Sequence, residues 1–147
     1  MQNPKLGDDL YIVPLALFDN NAAIQSRVDA VDSSVRSAVS LALRYLYLTD
    51  GPLNLPRTQL KQALPSLTVA EQKAIRWLAT RTNGSLRKRY GSRVLEAARR
   101  SRLRCEACGL ADVRVLNLDH VDGHSAGTAF QCLCANCHHI KSFHGDW

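Results

Sequence analysis

From Asn21 onward the apolar residues Ile24, Val28, Val31, Val35, Val39 and Leu43 recur every three or four positions. That step places them on one face of a helix. Asp19 or Asn20 caps its start, and Gly51-Pro52 ends it at the latest. A helix of about 30 residues is about 45 Å long at 1.5 Å per residue. In a chain of 147 residues such a helix either breaks, pairs with a second copy of itself, or packs its apolar face into the core.

The pattern continues helical for the next 50 residues. A second helix is predicted from Pro56 to Leu64, with Asn54 near its cap and Pro65 stopping it. A third starts at Thr68, where Thr-Val-Ala-Glu has the form of a capping box. Ile75, Trp77 and Leu78 give it a core side, and Asn83-Gly84 ends it. The two short helices in succession resemble a helix-turn-helix only loosely, and packing is the simpler use. A fourth helix, about Ser92 to Arg102, offers Val94, Leu95, Ala97 and Ala98 for packing.

After Arg104 the pattern changes. Val113, Val115 and Leu116 predict a strand that ends in Leu-Asn-Leu-Asp-His at 116–120. Gly123, Ser125 and Gly127 mark a loop. Phe130 to Leu133 is a second short strand, and a closing helix runs from Cys134 or Cys137 to about Phe143. No internal repeat is present.

Composition narrows the class. A chain of 147 residues that is 46% hydrophobic can bury a core without staples. The longest apolar run, Tyr11 to Phe18, contains Pro14 and is too short to span a bilayer. Asp8 and Asp9 stand where a signal peptide would be positive. The expectation is a soluble cytoplasmic protein without membrane contact, in which paired cysteines bind metal rather than form disulfides.

Charge is concentrated. Residues 81–104 hold nine Lys/Arg and one acid, whereas 1–80 net +1 and 105–147 net −3. A local basic segment of this kind suits a polyanion such as DNA. Arg87, Lys88, Arg89, Arg93, Arg99, Arg100, Arg102 and Arg104 are its candidate phosphate contacts.

The cysteines carry the sharpest signal. Cys105-x2-Cys108 and Cys134-x2-Cys137 are separated by 25 residues. Two such knuckles supply four thiolates to one tetrahedral Zn²⁺ at about 2.3 Å. Gly109 follows the first knuckle where a tight turn needs a permissive residue. A redox Cys-x-x-Cys would need a βαβ setting, which the pattern lacks. Cys132 belongs to neither pair and reads as a small buried residue. A four-cysteine zinc is closed to substrate, so it stabilises the fold and does no chemistry. If the neighbouring histidines have a purpose, it is a separate one.

The run Cys-Glu-Ala-Cys, Leu-Asp-His at 118–120 and Cys-Ala-Asn-Cys-His-His-Ile-Lys at 134–141 resembles the HNH endonucleases, the ββα-metal nucleases. The resemblance covers residues ~100–147. It implies a zinc-stabilised ββα-metal (HNH) motif over 91–147; with the helical pattern upstream, the expectation is a mainly α fold whose helical domain over 1–90 resembles no family and has an unknown role, with DNA binding or dimerisation open. The resemblance also implies hydrolysis of DNA phosphodiesters, with His120 as general base. Asp119 and His138 would bind one divalent cation, Mg²⁺, Mn²⁺ or another transition metal. Lys141 matches the family lysine, which would meet a phosphate or hold the helix end. His139 replaces His138 as ligand if the helix is rotated; His124 and His144 are uncommitted. One position departs from the family. Its middle asparagine, five residues before the third cysteine, is Ala129 here. That departure keeps a second reading open: a non-catalytic, zinc-stabilised nucleic-acid-binding protein with a degenerate HNH site.

Overall fold

The computed structural model describes residues 5, 8–82, 87–120 and 130–144, and side chains for these except 82, 87–91, 120 and 142–144. The chain is mainly helical, with one two-stranded antiparallel sheet near its C-terminal end.

The long helix breaks. Helix α1 (Asn21–Asp29) is capped by Asn20, whose side chain accepts from the Ala23 N–H at 3.1 Å. Helix α2 (Arg36–Tyr47) follows a 3₁₀ turn at Ser33–Val35. Asp32 causes the break: its carboxylate accepts from the Ser34 N–H at 2.9 Å, a local bond that competes with the helical ladder. Arg36 then spans the gap, donating to Val31 O at 3.1 Å and Asp29 O at 3.2 Å. The apolar ladder survives the kink. Ile24 and Val28 from α1 and Val39 and Leu43 from α2 are all buried in this chain's own core.

Helix α2 stops at Tyr47, and Gly51 turns tightly beneath it. A Cβ on Gly51 would lie 2.1 Å from Arg44 O, so only glycine fits there. Helix α3 (Arg57–Ala63) follows Pro56 and passes into a 3₁₀ turn at Leu64–Ser66 that contains Pro65.

Helix α4 (Val69–Thr82) opens on the capping box. Glu71 N donates to Thr68 Oγ1 at 3.1 Å, and Thr68 N donates to Glu71 Oε1 at 3.0 Å. Glu71 is fully buried and takes more than its share of that box. Arg27 of α1 grips both carboxylate oxygens, and Tyr47 Oη of α2 donates to Oε2 at 2.7 Å. One side chain thus joins three helices. Burial pushes the Glu71 carboxyl up, but Arg27, the Thr68 N–H and Tyr47 outweigh it and hold the carboxyl below its usual range.

Helix α5 (Arg87–Arg100) packs on α4 and starts five residues before Ser92. It ends two residues before Arg102, because Arg102 (φ 56°) and Leu103 (φ 55°) adopt left-handed backbone. Each such residue costs about 1 kcal/mol or more. The reversal buries Leu103, whose N–H caps Ala98 O at 3.0 Å.

A 3₁₀ turn at Val113–Val115, capped by Asp112, replaces the first part of the expected strand. Strand β1 (Leu116–His120) then pairs with β2 (Phe130–Cys134), with Leu116 opposite Cys134 and Asp119 opposite Gln131. Helix α6 (Ala135–His144) packs back on both strands.

A single buried cluster includes residues from Val13 to Cys137, so the helical part and the C-terminal motif share one core. A division at residue 90 falls within α5. Trp77 of α4 reinforces the junction by donating to Leu116 O, at the foot of β1, at 3.0 Å. Among the described residues, no helix is long and apolar enough to cross a membrane.

Candidate metal centres

The first knuckle turns because Gly109 takes φ 83°, which closes Gly109 N onto Cys105 O at 2.9 Å. Cys105 N returns the chain by donating to Leu110 O at 2.8 Å. The second knuckle spans the end of β2 and the first turn of α6, with Cys134 on the strand and Cys137 on the helix. The four sulfurs lie within 4.8 Å of one another. Cys105, Cys134 and Cys137 are buried, and Cys108 is exposed.

The geometry fits a tetrahedral ion. Arms of about 2.3 Å imply sulfur–sulfur edges of about 3.8 Å. Cys108 Sγ and Cys134 Sγ are 3.7 Å apart. Four thiols so close cannot all ionise unaided. Burial alone would push Cys105 up, but the N–H groups of Cys134, Cys108 and Ala107 outweigh it and bring the thiol down to about 6. Burial and the neighbouring sulfurs drive Cys137 strongly up. The Leu110 N–H draws Cys108 down, yet burial and the adjacent sulfurs raise it overall. Such a cluster could hold a structural metal such as zinc, whose charge stabilises all four thiolates together. Cys132 stands outside it, fully buried, its thiol pushed up to about 12 by burial.

A second group lies where α6 crosses β1. Asp119 Oδ1 is 3.7 Å from His138 Nε2, and Asp119 Oδ2 accepts from Lys141 Nζ at 2.8 Å. The Asp119 and Lys141 side chains are 17% and 20% exposed, and His138 is 39% exposed, so this group opens to solvent. A cation with arms of about 2.1 Å sets nitrogen and oxygen ligands about 3.0 to 3.4 Å apart. Asp119 and His138, at 3.7 Å, stand about 0.3 Å beyond the wide end of that range and about 0.7 Å beyond the octahedral end. His139, the alternative ligand, is exposed. The side chains of His120 and His144, and all of His124 and Ala129, lie outside the described residues, as do Asn83 and Gly84 and the loop glycines.

The arginines divide. Arg99 is a correction: it is 4% exposed, and its guanidinium donates to Thr49 O, Arg44 O and Tyr45 O. It finishes the C-terminus of α2 and has no surface to offer a phosphate. Arg104 is half-buried and donates to Val13 O at 2.9 Å, tying down the N-terminal segment. Arg93, Arg100 and Arg102 are exposed. The side chains of Arg87, Lys88 and Arg89 lie outside the described residues.

Glu106, inside the first knuckle, escaped the sequence reading. Its N–H donates to Cys132 O at 2.8 Å, and its Oε2 accepts from the Cys132 N–H at 2.7 Å. The knuckle therefore docks on β2 as a short extra strand would. Arg100 completes the bracket by donating to both Glu106 oxygens and to Phe130 O. The available signal was a lone acid two residues after a basic run.

No protein-family model matches this chain, and neither a curated protein nor a solved structure is similar to it.

Proposed function

We propose that this chain is a metal-dependent DNA endonuclease of the HNH kind, hydrolysing phosphodiester bonds with His120 as general base. Asp119 and His138 would hold one divalent cation, and the four cysteines a structural zinc. The observation that carries the reading is the approach of Asp119 Oδ1 to His138 Nε2 at 3.7 Å, directly beside the four-cysteine cluster. Asp119 and His138 are 19 positions apart in sequence and the two Cys-x-x-Cys pairs are separated by 25 residues, yet each set comes together, in the order Cys-x-x-Cys, Asp-His, Cys-x-x-Cys-His.

The roles follow from the chemistry. A phosphodiester is anionic and repels its nucleophile. A bound divalent cation would neutralise the phosphate and the leaving oxygen. Neutral His120 would accept a proton from the attacking water, as imidazole can near pH 7. Two protein ligands leave room for water and phosphate oxygens. The exposed Arg93, Arg100 and Arg102 lie on or just beyond α5, which packs on β2, and would position the duplex by its backbone. The test is nicking of supercoiled plasmid with Mg²⁺ or Mn²⁺. Wild type should nick and His120→Ala should not. Equal behaviour of the two across both metals sinks the reading.

A second reading is favoured by Ala129, in the place of the family's middle asparagine. In it the chain is a zinc-stabilised nucleic-acid-binding protein that does not cut. It predicts salt-sensitive duplex binding, one metal per chain, and no nicking by wild type.

A further inference from the structure

The nuclease reading leaves open why an ammonium sits on the carboxylate that would hold the metal. Asp119 divides its two oxygens. Oδ2 accepts from Lys141 Nζ at 2.8 Å, while Oδ1 faces His138 Nε2 at 3.7 Å. His138 and Lys141 are three residues apart on α6, so both leave the helix on one face. The Lys141–Asp119 pair is mostly shielded, at 20% and 17% exposed, which makes it more than a passing surface contact.

We propose that Lys141 is a positioning residue that fixes Asp119 as a one-oxygen ligand and weakens the resting metal site, so that the site fills together with a phosphodiester. The inference rests on the reading of Asp119 and His138 as cation ligands. The argument is one of charge. Lys141 offsets the charge of Asp119. A divalent cation on Oδ1 would meet a carboxylate whose charge Lys141 already offsets. It would also lie within about 5 Å of the ammonium, where repulsion lowers affinity on the order of tenfold even at high dielectric. A phosphodiester brings one negative charge to the same place. Metal and phosphodiester then raise each other's affinity by the same factor, as linkage requires. Because Lys141 keeps Oδ2, the carboxylate cannot chelate through both oxygens, and the remaining positions stay open.

A purely structural ion pair makes a different forecast: loss of Lys141 would lower stability and leave metal affinity alone. The experiment titrates Mn²⁺ into the zinc-loaded full chain and reads free Mn²⁺ by electron paramagnetic resonance. It is run with and without a short duplex, in a His120→Ala background so that no strand is cut. Without duplex, Lys141→Met should bind Mn²⁺ about tenfold tighter than the parent, and Lys141→Arg should match the parent. Duplex should tighten Mn²⁺ in all three. Zinc content reports folding, and Lys141→Gln substitutes if the methionine variant loses zinc. If removing the ammonium leaves Mn²⁺ affinity unchanged or lowers it, or if duplex does not tighten Mn²⁺, the inference is overturned. Asp119→Asn separates the two failures. If it abolishes Mn²⁺ binding while Lys141→Met changes nothing, only the inference falls. If Asp119→Asn leaves Mn²⁺ binding intact, the metal-site reading falls, and the inference with it.

Discussion

Two clusters of candidate ligating side chains lie on and beside the β1–β2–α6 unit, and they differ in almost every physical respect. The cysteine cluster has four like side chains within 4.8 Å, three of them buried, and backbone N–H groups face the sulfurs of the first pair, Cys105 and Cys108. The Asp119–His138 pair has two unlike ligands, one an oxygen and one a nitrogen, with His138 well exposed and a lysine in attendance. A closed set of soft ligands has no position left for substrate and so can only stabilise. An open set of hard and borderline ligands stabilises little and leaves positions for reactants. Adjacent candidate metal ligands therefore need not share a purpose.

The sharpest way to break this contrast is to empty the closed cluster. With a structural zinc in the cluster, Cys137→Ala, or a strong chelator, should release it and unfold the C-terminal motif. Apparent binding energies for structural zinc are on the order of 10 kcal/mol, comparable with the whole stability of a domain. Native mass spectrometry and far-ultraviolet circular dichroism read the outcome. Retention of the full thermal transition after zinc loss would show that the cluster does not hold the fold.

The converse substitution acts on the open pair. On the proposed nuclease reading, Asp119→Ala removes a cation ligand and should lower plasmid nicking on the order of a thousandfold. Zinc content and thermal midpoint should stay close to wild type. A variant that loses zinc as well would show that the two centres are not separable.

How much of this was legible beforehand depends on whether a feature is local. The Thr68–Glu71 capping box and the tight turn at Gly109 are settled within a few residues, and both appear as the pattern implies. Cysteine spacing encodes its own geometry, so the four sulfurs converge as expected. Features that depend on distant partners were not visible. The apolar ladder from Ile24 to Leu43 runs unbroken through the kink at Asp32, because both helices face the same core. Arg99 and Arg100 are neighbours in a basic run, yet one caps α2 from inside and the other is exposed. Nothing in the run says which side meets α2. The division of Asp119 between His138 and Lys141 likewise needs the packing of α6 on β1.

Glu71 offers a third cluster for calibration, closed and built from hydrogen bonds and one ion pair. Removing one partner of a buried, fully hydrogen-bonded ion pair costs about 3–5 kcal/mol. Glu71→Ala should lower urea stability by that amount and leave zinc in place. The pH dependence has a definite sign. The folded carboxyl lies below its ordinary value, so its stabilisation is full above an unfolded pKa of about 4.3 and is lost as pH falls through the lowered folded value. Glu71→Gln should therefore flatten the acid limb of the stability curve below about pH 4.3. An unchanged acid limb would mean that other carboxylates set it.

The smallest expected effect tests whether the helical region reaches either centre. Trp77 Nε1 donates to Leu116 O at 3.0 Å, and Leu116 lies opposite Cys134 and three residues before Asp119. Trp77→Phe keeps the packing of a large ring but leaves that buried carbonyl without its donor. The loss should be about 1–2 kcal/mol of stability, the ordinary cost of one unsatisfied buried acceptor. Zinc affinity should hold, because the cysteine cluster is fixed by its own backbone hydrogen bonds. Nicking should fall by less than about tenfold, since catalytic geometry is sensitive to shifts near 1 Å and one lost bond at the strand's far end moves Asp119 by less. A hundredfold fall in nicking at unchanged zinc would place control of the open pair in α4, and would make the helical region part of the active site rather than its support.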